Sequence, residues 1–181
     1  MVDLSEIQAA YYMVAATGVL VAAIYYVYNM RIAQRNASAT LQNRQAQLFT
    51  NLHQFSMTRE AIEARYKAFG LNLKTAEDYQ NLEQDKESQY ALSMMSQFVE
   101  GIGVLVRENL VDIRLVAEFK SGLVLSYWER FGPMILDVRR KMNFPRFMVE
   151  AEYLARRVEE FGEAHPELGI LASLDIERRK T

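Results

Sequence analysis

The chain has 181 residues, a formal net charge of −2, 50% hydrophobic residues and no cysteine. That composition suits one folded domain of moderate size. It excludes a disordered chain, a disulfide framework, an iron–sulfur site, a thiol nucleophile and a thiolate zinc site. The near-neutral balance offers no general electrostatic handle to nucleic acid, and no nucleic-acid partner is expected.

The first element is the run from Ile7 to Met30, 24 residues without a charge. As a helix it would extend about 36 Å, enough for a hydrocarbon core about 30 Å thick. Tyr11 and Tyr12 stand near one end and Tyr25, Tyr26 and Tyr28 near the other, where amphipathic rings favour a membrane interface. A cleaved signal peptide would open on basic residues and carry a shorter apolar run. Here Asp3 and Glu6 precede the run and all 21 Lys and Arg follow it. Arg31, Arg35, Arg44 and Arg59 are unopposed by any acid between residues 31 and 59. The expectation is a single-pass anchor over residues 1–30, with the N-terminus outside, residues 31–181 in the cytoplasm, and membrane lipid as the first partner. Ala15, Gly18 and Ala22 put small side chains on one face, a candidate transmembrane interface with a second copy or another membrane protein.

Residues 31–56 read as a polar, membrane-proximal helix carrying Leu41, Leu48, Leu52 and Phe55 on a heptad-like stripe. Residues 57–165 read as an all-α cytoplasmic domain of five to seven helices. Thr58 caps a helix carrying Ile62, Tyr66 and Phe69, ending at Gly70. Thr75 and Asp78 form a capping box for the next. A long helix from about Lys86 to Glu108 presents Leu92, Met95, Phe98, Val99, Ile102 and Val106, and Asn109 interrupts it. Asp112 caps another that presents Leu115, Val116 and Phe119, and Gly122 marks a break or a close contact. Pro133 starts or kinks a helix over Tyr127–Met142. Pro145 opens the last helix, with Val149, Tyr153, Leu154, Val158 and Phe161 on its face, and Gly162, Pro166 and Gly169 end it before a tail over residues 166–181.

Chemical motifs are sparse. His53 and His165 are the only histidines, and no zinc-protease, phosphate-loop or nucleophile-elbow pattern occurs. Glu77, Asp78, Glu83, Asp85 and Glu87 read as a solvated acidic face. No catalytic residue, cofactor or metal site is assigned. The distinctive residues are Gly101 and Gly103 in an apolar setting, Trp128 with Pro133, and Arg139, a candidate packing or partner surface.

The order Phe98, Glu100, Gly101, Gly103, Leu105, Val106, Leu110, Val111, Trp128, Pro133 and Arg139, behind one membrane helix and a polar helix, resembles a DUF4760-like prokaryotic family of unknown function. The likeness extends over most of residues 7–160. It implies an anchor-plus-helices layout in a prokaryotic inner membrane and brings no reaction or catalytic residue set. The favoured function is a membrane-anchored interaction, scaffold or accessory subunit, acting as a homo-oligomer or with other membrane-protein subunits. Alternatives are a membrane-tethered ligand sensor or defence component, an oligomeric channel with Thr17 as its mid-membrane polar residue, and an acid-based enzyme drawing on Glu100, Glu129 or Asp137. The sequence favours a non-enzymatic role.

Overall fold

A computed structural model describes residues 4–171, and among these every regular element is helical. Six α-helices follow in order: α1 (Leu4–Ser56), α2 (Arg59–Gly70), α3 (Ala76–Asn81), α4 (Lys86–Arg107), α5 (Ile113–Lys141) and α6 (Val149–Ala164). Short 3-10 turns occupy Leu82–Gln84 and Pro166–Leu168. The chain divides into two compact units, Met1–Arg44 and Gln45–Thr181. The boundary falls inside the stretch read as a membrane-proximal helix.

In the first unit, α1 is exposed at every position from Tyr11 to Arg44. Val14, Val19, Leu20 and Ile24 all face outward, so this part of α1 has apolar side chains on every side. Among the described residues, α1 is the one helix long and apolar enough to cross a membrane. The Thr17 hydroxyl donates to the Met13 carbonyl at 2.8 Å, which satisfies it within its own helix.

The second unit is built around α4, which packs against α2 on one side and α6 on the other; α5 packs against α6 and α3. Val99, Ile102, Val124, Phe131, Ile135, Leu154 and Val158 form the dry centre. Helix starts are set by their caps. Thr58 accepts from Ala61 N at 3.3 Å, Asp85 from Ser88 N at 3.2 Å and Asp112 from Arg114 N at 2.9 Å. Thr75 and Asp78 make both arms of the capping box, at 3.2 and 2.9 Å. Asn109 ends the α4 region in the left-handed conformation, with φ 55.

Several local expectations are corrected. The fully buried residues of α2 are the alanine row Ala61, Ala64 and Ala68; Ile62 and Phe69 are half-buried, Phe69 with its ring centre 6.0 Å from that of Phe131, and only Tyr66 of the expected three points to solvent. Small side chains let α2 lie close on α4, and a tyrosine there would hold it off. The two helices expected around Gly122 and Pro133 are one helix of 29 residues. A side chain at Gly122 would meet nothing within 4 Å, so that glycine marks neither a break nor a contact. Pro133 sits on the exposed side of α5, where its missing N–H leaves the helix intact. The last helix starts at Val149 rather than Pro145, because Met148 adopts φ 55 and breaks the chain direction just before it. Gly162 lies inside α6, not at its end. A Cβ there would come within 2.9 Å of the Leu171 side chain, so the glycine makes room for the returning chain.

Candidate functional site

The seam between α4 and α6 explains one of the two distinctive glycines. A Cβ on Gly103 would run into the Glu150 carbonyl, with the carbonyl carbon only 2.6 Å away. The two backbones touch here, and only glycine permits it. Two acidic side chains flank the contact. Glu100 on α4 accepts from Ala151 N at 2.7 Å, supplying a cap that α6 lacks locally, because Met148 makes no side-chain cap bond. Glu150 on α6 pairs with Arg107 on α4; its Oε2 meets the guanidinium as an ion pair without the alignment of a hydrogen bond. The Arg107 guanidinium also lies 4.2 Å from the centre of the Tyr153 ring.

Arg139 holds the turn that precedes α6. Its guanidinium donates to the Phe147 carbonyl at 2.7 Å and the Met148 carbonyl at 2.9 Å, and pairs with Glu152. Its side chain is 15% exposed, so it acts chiefly within the domain. Two residues earlier on α5, Asp137 does for α3 what Glu100 does for α6. It accepts from Ala76 N at 2.9 Å, from Arg140 at 2.6 Å and pairs with Lys141 at 3.0 Å. The Ala76 N–H first, then the two cations, hold its carboxyl far below the usual carboxylate range. Glu100 and Asp137 were candidate acids for an enzyme; both are spent on backbone N–H groups of helix starts.

Trp128 is half-buried against the core, its ring packed along its own helix over Gly132, where a Cβ would come within 3.2 Å. The structure thus joins Gly103 to the α4–α6 seam and Arg139 to the turn before α6, while Trp128 and Pro133 belong to other faces of α5. Ala15, Gly18 and Ala22 lie in the separate N-terminal unit, and a side chain at Gly18 would meet nothing within 4 Å.

Gly101 has a different setting from Gly103. It lines an open groove of about 750 Å³ formed by the end of α1 and the outer face of α4, with Leu52, Phe55, Met94, Phe98 and Val104. A small niche of about 10 Å³ adjoins it, sharing Phe55, Met94 and Phe98 with the groove and reaching Ser56 and Arg65. Behind Ser56 stands Lys120 of α5, 7% exposed, whose Nζ donates to the Ser56 hydroxyl at 2.6 Å. That hydroxyl donates in turn to the His53 carbonyl at 2.7 Å. Burial and then the nearby Arg65 charge push Lys120 below the ordinary lysine value. Sequence reasoning missed this cluster, although one signal was there. Val116, Lys120, Val124, Tyr127 and Phe131 share one buried row of α5, and the lysine is the charged member of it.

No curated protein and no solved structure matches the chain. The sequence profile described as Domain of unknown function (DUF4760) matches residues 12–158. That match covers most of the chain, which belongs to the DUF4760 family.

Proposed function

We propose that this protein is a membrane-anchored interaction or accessory subunit, in which the apolar part of α1 fixes a helical cytoplasmic domain to the membrane. One observation carries the reading. The uncharged run Ile7–Met30 lies on a helix whose apolar side chains are exposed on every described side, an arrangement stable in lipid and costly in water. Arg31, Arg35, Arg44 and Arg59, with no acid among residues 31–59 and with Asp3 and Glu6 on the other side of the run, favour a cytoplasmic domain. Ala15, Gly18 and Ala22 supply a seam for a second copy or a foreign membrane helix.

The test is extraction of the full chain from its native membrane into nanodiscs, followed by native mass measurement of the particle. The reading expects resistance to carbonate washing and a defined assembly, either several copies or fixed partners. Release by carbonate would overturn the anchor, and a clean monomer would overturn the subunit role. A second reading, a membrane-tethered ligand sensor, draws on the groove beside α4.

A further inference from the structure

The groove and its niche adjoin along Phe55, Met94 and Phe98, and together they lead from an apolar surface to a cationic end. The groove falls within the volume range of small-molecule clefts, and no Asp, Glu, Lys or Arg lines it. Its polar members are Tyr90, Ser93 and Gln97; the rest of the wall is hydrocarbon, aromatic ring, thioether or Gly101. At the niche the chemistry changes to Ser56 and Arg65, with Lys120 behind them. Among the described residues, neither Arg65 nor Lys120 forms an ion pair. A buried ammonium has three donors, and Ser56, a neutral group, is the partner the structure gives Lys120. Keeping such a charge from water without a counter-ion is costly, and an anion brought to this end relieves the cost.

We propose that this path is a binding site for a single-chain amphiphile with a carboxylate head, a long-chain fatty acid. The chain lies along Phe98, Gly101 and Val104, and the carboxylate meets Arg65 at the mouth of the niche, with Lys120 behind Ser56 as the second positive charge. The niche has room for about one water-sized group. It therefore admits a carboxylate oxygen and rejects a bulky phosphodiester head. A neutral ester head of the same chain length would leave both cations uncompensated and bind more weakly. Gly101 contributes by absence: a Cβ there would meet no described atom within 4 Å, and a larger side chain would project into the space the chain needs.

This inference stands on the second unit alone, so loss of the anchor reading would leave it untouched. The experiment is photo-crosslinking of the full chain, in phosphatidylcholine nanodiscs, with a palmitate carrying a diazirine on its chain. Adducts are then mapped by peptide mass spectrometry. We expect labelling between Tyr90 and Leu105 and at Leu52 or Phe55, competed by oleate and not by monoolein. Lys120→Met and Arg65→Gln should each reduce it by at least about tenfold, the scale of a lost hydrogen bond to a charged group. Gly101→Leu should block it at the apolar end without touching the cations. Thermal unfolding followed by Trp128 fluorescence shows which variants remain folded, and Gly101→Leu, placed where space is open, keeps the test valid if Lys120→Met does not fold. Labelling confined to residues 7–30, labelling insensitive to the folded variants, or equal competition by monoolein would each overturn the site.

Discussion

The two faces of α4 show how differently a helix can use two glycines only one residue apart from being neighbours. Toward α6, Gly103 is in backbone contact with Glu150, and Glu100 and Arg107 reach across to cap and pair with the partner helix. Toward the groove, Gly101 faces open space, and Tyr90 and Val104 are left 60% and 43% exposed. The first face is saturated by the chain's own atoms; the second offers apolar surface to something else. Glycine on the first face answers a steric demand, whereas on the second it shapes a surface.

The largest effect expected is at Gly103. Alanine there must push α6 away, because the obstacle is the Glu150 backbone rather than the end of a flexible side chain. Gly103→Ala should lower stability by about 3 kcal/mol, the upper part of the range for overpacking. Trp128, the single tryptophan and half-buried, reports this directly as a fall in the urea midpoint of the full chain. An unchanged midpoint would show that the seam is looser than a backbone contact.

The carboxylate that caps α6 comes next. Glu100→Ala leaves Ala151 N without its acceptor and should cost about 1–2 kcal/mol, with Glu100→Gln recovering part of it. Asp137 sharpens the point, since its cap on α3 is read by pH. Its carboxyl is held low in the folded chain by the Ala76 N–H, Arg140 and Lys141. Stability from this group is therefore complete above the unfolded aspartate value of about 4 and is lost as pH falls through the lower folded value. Asp137→Asn should lower stability at neutral pH and flatten the acid limb of the stability curve, read as urea midpoints measured downward from pH 7. An acid limb as steep as that of the parent would assign the loss to other carboxylates, with Asp78 and Asp85 next in line because both are also held low by hydrogen bonds at helix starts.

What the sequence made legible follows from how local each signal is. The capping residues Thr58, Thr75 with Asp78, and Asp112 act within three residues of themselves, and the helix starts they mark are where they belong; Asp85, read as part of a solvated acidic face, caps α4 in the same way. The apolar row of α4 was equally readable, because Leu92, Met95, Val99, Ile102 and Val106 repeat at helical spacing. Lost were features set by distant atoms. Pro133 looks like a helix start until its solvent-facing side is known. Val149 begins α6 because Arg139, ten residues earlier, holds the carbonyls of Phe147 and Met148. Tyr66 looks like core until the alanines beside it are seen to fit against α4 better. The site was hardest to read. Gly101 and Gly103 were singled out together, but only the positions of Glu150 and Phe98 separate a contact glycine from a groove glycine.

The smallest effect expected is the one that sets the two faces apart. Gly101→Ala adds a methyl group where nothing lies within 4 Å and removes the helix penalty of glycine. On the isolated chain it should raise stability by up to about 1 kcal/mol, opposite in sign to Gly103→Ala. The comparison needs both variants in the same nanodiscs, with Trp128 emission followed through the urea transition. A gain at Gly101 means that the groove is free in the folded chain and that its apolar surface is available for binding. A loss comparable to that at Gly103 would mean that the groove is already filled as closely as the α4–α6 seam. The occupant would then lie outside the described residues, because no atom among them is near enough to resist a methyl group.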